Sequence, residues 1–347
     1  MIQRISTILP IILPAALLIL SSCNDTSVQL IEKKNKRRVE VLIDGKVFTA
    51  YIWPATTKKP VLYPIKSATG EFITRGFPLD PRPDERVDHP HQVGHWLNYG
   101  NVNGIDFWNN SYAIPLEQQP DYGEIIHNEI LEISGGDRGV LAVRCYWVTH
   151  NQDTLLKEIT RFVFSGDEQM RAIDRITTLK AMENNVTFHD TKEGMLAIRM
   201  DRAFEFPTQD SLILTDPEGI PMQEPTIHNV GVTGQYRSSE GITGSEVWGT
   251  RAKWMELSAI KNNAPVSVVI FDHPENPGYP AYWHARTYGL FSANPLGVHA
   301  FSSDTDSMNY TLQKEESVTF RYKIVIQSPG FETTEAIEEE YKNFIKS

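Results

Sequence analysis

From residue 39 onward the chain repeats one pattern: short runs of alternating apolar and polar residues, rich in Val, Ile, Thr, Phe and Tyr, separated by Gly, Asn, Asp and Pro. A period of two is the signature of a strand with one buried face, and the intervening residues are those that turns require. The pattern predicts strands over 39–43, 48–53, 126–133, 140–148, 159–164, 171–179, 195–200, 266–271 and 318–326. Residues 319–326, Thr-Phe-Arg-Tyr-Lys-Ile-Val-Ile, are the clearest case. Residues 333–345 alone carry a helical stripe, formed by Ile337, Tyr341, Phe344 and Ile345. Many closely spaced strands and one terminal helix imply an all-β protein, a large antiparallel β-sandwich with one C-terminal helix.

The N-terminus has a different character. Residues 5–20 are almost wholly apolar, follow Arg4, and give way to Leu20-Ser21-Ser22-Cys23. This is the layout of a secretory signal, and Pro10 and Pro14 within it weaken a spanning helix. Leu-Ser-Ser-Cys resembles the bacterial lipobox, in which the cysteine becomes a lipidated N-terminus. The expected organisation is a signal peptide over 1–22, a polar tether over 23–38 and a β-sandwich over 39–347. Cys23 would anchor the chain to a membrane, the outer membrane, facing the periplasm or the cell surface. With Cys23 acylated, Cys145 has no disulfide partner. The formal net charge of -11 argues against nucleic acid as a partner. No P-loop, Gly-x-Gly-x-x-Gly or Gly-x-Ser-x-Gly signature occurs.

Three segments between the strands are rich in His, Trp, Asn and Asp and read as long functional loops. The first, 82–110, carries His89, His91 and His95, then Asp106 and Trp108. Three imidazoles in seven residues suit acid–base work, since histidine titrates near neutrality. His-x-His on an extended chain also suits a divalent metal, but no stronger zinc spacing accompanies it, and no cofactor is predicted. The second segment, 245–254, sets Arg251 and Lys253 beside two tryptophans. Aromatic faces next to charged groups are a way to hold sugars. The third, 271–295, delivers Asp272-His273 at a strand end and then His284 and Arg286, two apart and therefore on one side of an extended chain. Cys145 reads as a small buried hydrophobe.

His89-Pro90-His91, Asn101 to Trp108, Phe271-Asp272-His273-Pro274 and Trp283 to Pro295 together resemble the family labelled PmoA-like, across about residues 50–300. The label derives from a methane monooxygenase subunit, a multi-span membrane protein, whereas apolar runs after Cys23 are only a few residues long. The resemblance implies instead a secreted carbohydrate-active protein with a sandwich similar to the galactose-mutarotase supersandwich. It also implies dehydratase activity on oligosaccharides ending in a uronic acid. Where most relatives read His-Pro-His-His-Arg-Gly-Leu-Trp, this chain has Gln92, Val93 and His95. Elimination of water across C4 and C5 of a uronic acid needs a base, a cation for the carboxylate and an acid for the leaving hydroxyl. His89, His91, His273 and His284 are the candidate acid–base groups, and His95, Asp106, Trp108, Arg251 and Arg286 the candidate substrate-binding groups. The alternatives are a non-catalytic glycan-binding lipoprotein and an epimerase or glycoside hydrolase on the same scaffold.

Overall fold

The 317–327 strand shows how the sequence builds the core. Val318, Phe320, Tyr322, Ile324 and Ile326 are buried on one side, while Val325 faces the other. This is the parity an extended chain imposes. The computed structural model describes residues 27–303 and 306–346, so the signal segment and Cys23 lie outside the described residues.

Among the described residues, eighteen strands and two α-helices follow one another. The first five strands are β1 (Val28–Lys33), β2 (Arg38–Ile43), β3 (Lys46–Ile52), β4 (Val61–Leu62) and β5 (His95–Leu97). A meander follows, of β6 (Glu124–Ser134), β7 (Gly139–Val148), β8 (Thr154–Gly166) and β9 (Met170–Ala181). Next come β10 (Val186–Phe188), β11 (Leu196–Arg199), β12 (Gln235–Ser238), β13 (Trp254–Lys261) and β14 (Ala264–Asp272). The chain ends with β15 (Tyr282–Ala285), β16 (Leu290–Asn294), α1 (Val298–Phe301), β17 (Tyr310–Leu312), β18 (Ser317–Gln327) and α2 (Thr334–Phe344).

These form two eight-stranded sheets, ordered β1-β2-β3-β4-β5-β11-β16-β15 and β12-β13-β14-β18-β9-β8-β7-β6, with β10-β17 as a separate pair. The pairings of both large sheets are antiparallel. The all-β sandwich with one C-terminal helix is therefore the observed architecture, with the short α1 turn as an addition.

The inner faces of the two sheets share one large apolar core, which includes Trp147, Phe162, Phe164, Trp283, Phe291 and Phe320. The outer face of the second sheet is covered by α2, through Ile337, Tyr341 and Phe344 against Val269, Phe271 and Val325. Thr333 caps this helix by accepting a 3.3 Å hydrogen bond from Ala336 N, while Ile345 stays exposed. On the outer face of the first sheet, loops replace a helix: Val61, Tyr63, Val93, Trp96, Trp108, Ala197 and Leu290 form a smaller cluster there. That loop-covered face carries the candidate site.

The structure corrects two boundaries. Residues 28–38 are no tether, because Val28–Lys33 pairs along its length with Arg38–Ile43, and Val28 is buried beside Gly139. The cationic run forms the tight turn of this hairpin, with Arg37 in the left-handed region at φ 50°. A strand of six residues ending in charge carries too little apolar alternation to stand out in sequence. The three segments read as loops also hold short strands: β5 in the first, the start of β13 in the second, and β15 and β16 in the third.

Candidate functional site

Strand register places the site. Trp96 pairs with Ala197, Ala197 with Ser292, and Ser292 with His284, giving one transverse row across β5, β11, β16 and β15. At ~4.8 Å per strand the row spans roughly 14 Å. The next outward row contains Arg199, opposite Leu290, and Arg286, whose backbone N–H bonds Leu290 O at 2.8 Å. Residues of opposite parity, among them Leu97, Ile198, Trp283 and Phe291, enter the core between the sheets.

Parity also removes His95 from the site. It is fully buried on the inner side, with Nδ1 3.0 Å from Ala197 O and Nε2 3.4 Å from Arg175 Nη1. Burial and the Arg175 cation hold its pKa well below the usual imidazole value, so it is a neutral structural group rather than a substrate ligand.

The His89–His91 segment is shaped by a buried ion cluster. Asp88 accepts from Arg75 at 2.5 Å and from Arg199 at 2.7 Å, and its other oxygen lies 3.2 Å from His89 Nδ1. Burial alone would raise the Asp88 pKa, but Arg199, the His89 hydrogen bond and Arg75 outweigh it and hold the carboxyl far below the ordinary range. His89 has φ 42°, uncommon for a residue with a side chain. Its carbonyl is held there by Gln92 N at 2.9 Å and Arg75 Nη2 at 3.1 Å. The segment is therefore turned, not extended. The two rings still meet edge to face at 5.6 Å, and His89 stacks on Tyr288 at 5.1 Å. His91 is nearly buried, and burial, with Lys59 and His89 next in effect, lowers its pKa well below 6.5. Lys59 donates to the His91 carbonyl at 2.8 Å and lies 5.4 Å from the Trp96 ring. Its own pKa is lowered to about 7, chiefly by burial.

At the other end of the row, His284 Nδ1 is 3.0 Å from Lys192 O. A carbonyl only accepts, so Nδ1 carries the proton and Nε2 is left as the basic nitrogen. Burial lowers this histidine to about 4, with Glu193 working in the opposite direction and Arg286 and Lys192 reinforcing burial. Arg286 lies 5.9 Å from the Trp248 ring centroid and 5.6 Å from that of Tyr288. Among the described residues no carboxylate is paired with it, although each of Arg75, Arg82, Arg86, Arg199 and Arg202 has one. Trp248, partly exposed, meets Phe301 at 5.6 Å, and Phe301 meets His284 at 6.0 Å. A continuous wall of rings and cations thus joins His91 to His284 through His89, Tyr288, Arg286, Trp248 and Phe301.

The other sequence-predicted residues fall elsewhere or act differently. His273 packs edge-on against Phe344 at 5.2 Å, on the second sheet's α2 side, and accepts from Glu275 N at 3.2 Å. Arg251 spends its guanidinium on the carbonyls of Gly278, Tyr279 and Pro280 at 2.9–3.1 Å, closing that turn. Trp108 is 1% exposed and packs against Trp96 at 5.3 Å, so neither face is open to a sugar. Asp106 accepts from Trp108 N, Asn109 N and Asn109 Nδ2 at 2.7–2.9 Å, and so folds the loop that seats Trp108. Cys145 is buried in β7, 3.5 Å from Tyr51 Oη. Sequence reasoning left out Asp88, Arg199, Lys59, Tyr288 and Trp248 as site residues. Arg199 was hidden as the last residue of a strand, but Tyr288 and Trp248 lay inside the aromatic segments already singled out. Among the described residues no cluster of three or more His, Cys, Asp or Glu could hold a metal ion, and no helix is long and apolar enough to cross a membrane.

Residues 38–342 match the model of a family of unknown function, DUF6807. The chain belongs to that family. No curated protein matches this DUF6807 member in sequence. Among solved structures it is similar to the galactosidase domain of the alpha-galactosidase–sucrose kinase AgaSK, at 10% identity and TM-score 0.40 over 87% of this chain and 42% of that one. It is also similar to a galactose mutarotase-like protein from Clostridium acetobutylicum, at 11% identity and TM-score 0.35 over 87% and 98% of the two chains. A third is the GH36 alpha-galactosidase AgaB from Geobacillus stearothermophilus, at 11% identity and TM-score 0.41 over 86% and 40%. The chain thus spans less than half the length of the two galactosidase chains.

Proposed function

We propose that this protein is a carbohydrate-active carbon–oxygen lyase that removes water from the non-reducing-end uronic acid of an oligosaccharide, leaving an unsaturated uronic residue. One observation carries the reading: an arginine with no protein carboxylate, Arg286, is held between two aromatic rings beside a histidine whose Nε2 is left basic. A cation kept without a partner suits a ligand that brings its own carboxylate, and the Trp248 and Tyr288 rings suit the C–H faces of a sugar.

In this reading His284 Nε2 takes the C5 proton, which is acidified by the adjacent carboxylate. Arg286 stabilises the charge that develops on that carboxylate as the C5–H bond breaks. His89, an imidazolium with Nδ1–H directed at Asp88, gives its Nε2 proton to the departing 4-hydroxyl and is left neutral, and the electron pair released at C5 forms the C4–C5 double bond as water leaves. The empty-site pKa of about 4 makes His284 a weak base, but an anionic substrate lodged on Arg286 raises it towards the range a general base needs. The motif resemblance to PmoA-like proteins supports the same chemistry, and the lipobox-like Cys23 supports an enzyme tethered at a membrane.

Incubating the purified protein with uronate-terminated oligosaccharides, and following ultraviolet absorbance of the conjugated acid together with loss of one water by mass spectrometry, tests the proposal. Water-loss products with the new absorbance are expected. Glycan binding with neither signal would instead identify a non-catalytic glycan-binding protein.

A further inference from the structure

Beside the candidate site, the chain forms a hollow of about 400 Å3 lined by Arg37, Trp53, Lys58, Glu124, His127 and Asn128. A neighbouring hollow of about 550 Å3 shares Trp53, His127 and Asn128 with it. Both are of the size at which proteins hold small organic ligands. The wall common to the two is built and braced: the Trp53 and His127 rings lie 4.2 Å apart, tilted by 33°. Tyr51 Oη is 3.0 Å from His127 Nδ1, and the Tyr51 ring packs against Trp53 at 5.3 Å.

The polar groups around this wall are of mixed sign. Lys58 and Glu124 form a 2.6 Å pair, while the side chains of Arg37 and Asn128 make no hydrogen bond or ion pair among the described residues. An aromatic wall with an unengaged amide and guanidinium offers stacking for C–H surfaces and directed partners for hydroxyls and acidic groups, the combination a sugar requires. It is too polar for a lipid chain. The hollow also adjoins the candidate site through one residue. Lys59 lines the hollow, while its Nζ reaches the His91 carbonyl at 2.8 Å and its charge lies near the Trp96 ring.

We infer that the Trp53–His127 hollow is a second saccharide-binding site, holding a pyranose residue of a glycan whose end is delivered to the His284–Arg286 face. The choice of uronate-containing glycan rests on the proposed function, but the presence of a sugar site does not. Calorimetric titration of the His284→Asn protein with hexasaccharides from homogalacturonan, alginate and chondroitin tests it, with Trp53→Ala and Arg37→Asn made in the same background. Asparagine tolerates the left-handed backbone at position 37, and that side chain is exposed, so this variant keeps the fold whatever Trp53→Ala does.

At least one hexasaccharide should bind, with affinity lowered about tenfold or more by Trp53→Ala and about threefold or more by Arg37→Asn. In the otherwise wild-type protein both changes should leave turnover of a disaccharide unaltered. Binding of none of the three hexasaccharides, or equal affinity in parent and both variants, would overturn the inference. Weakened binding in the variants without turnover by the wild-type protein would overturn the dehydratase reading and leave this one standing.

Discussion

His284 holds its Nδ1 3.0 Å from the carbonyl oxygen of Lys192, and this contact fixes which ring nitrogen is basic. The nearby Glu193 carboxylate raises the His284 pKa against burial and the Arg286 and Lys192 charges. If neutral His284 is the base, kcat/KM falls as pH drops through its free-enzyme pKa, near 4. Replacing Glu193 by Gln removes an anion that favours the imidazolium, so the acid limb should move to lower pH. A pH–rate profile of the two proteins checks this, and an unchanged or upward-moved limb would assign the base elsewhere.

Arg286 and Arg251 are both substrate-binding candidates in the sequence, yet among the described residues Arg286 has no carboxylate partner while Arg251 is spent on three carbonyls. Arg286→Gln should lower kcat/KM on uronate-ended substrates about 100-fold or more, the scale of losing one charge-stabilising donor. Arg251→Gln should stay within a few-fold of wild type. Steady-state kinetics on both variants separates the two.

Asp88 is the counter-charge for two arginines that are almost wholly buried. Asp88→Ala leaves both without it and should destabilise the protein by about 3–5 kcal/mol. The denaturant midpoint would report this, and a loss under 1 kcal/mol would show that Gln92 and the backbone carbonyls suffice.

Acid should unfold this protein through its imidazoles. His91 and His95 lie well below their ordinary pKa of 6.5, and His127 and His284 are lowered to about 4, in each case chiefly by burial. Below pH 6.5 the unfolded chain binds protons that the folded chain refuses, so stability falls as pH decreases from 6.5 towards 4. Asp272 works in the opposite sense, since burial raises it to about 7 and the folded chain takes up its proton first. His273 is lowered as well, and burial raises Asp106 and Asp174 too, so five imidazoles stand against three carboxyls and urea midpoints should fall between pH 7 and pH 4.5. The fall should be shallower in His95→Asn, measured relative to that variant's own midpoint at pH 7.

The long strands were legible because their alternation runs for ten residues or more, as in β7, β8, β9 and β18. In the sheet that carries the site, β2, β3 and β11 were legible, but β5, β15 and β16 were not, because they are three to five residues long and lie among loop-like residues. Composition could gather histidines but could not assign their faces. Adjacent residues 95 and 96 point to opposite sides of one strand, so His95 enters the core while Trp96 faces the site layer. His284 and Arg286 were readable from spacing because that segment is extended. His89 and His91 were not, since the chain turns at His89.

The proposed seat of a substrate carboxylate on Arg286 beside His284 is tested by measuring kcat/KM of wild type and Arg286→Gln on a uronate-ended trisaccharide and on its methyl ester at the terminal uronate. Wild type should strongly prefer the free acid, and the variant should lose most of this preference. Equal preference in both proteins, or wild type indifferent to esterification, would contradict that assignment.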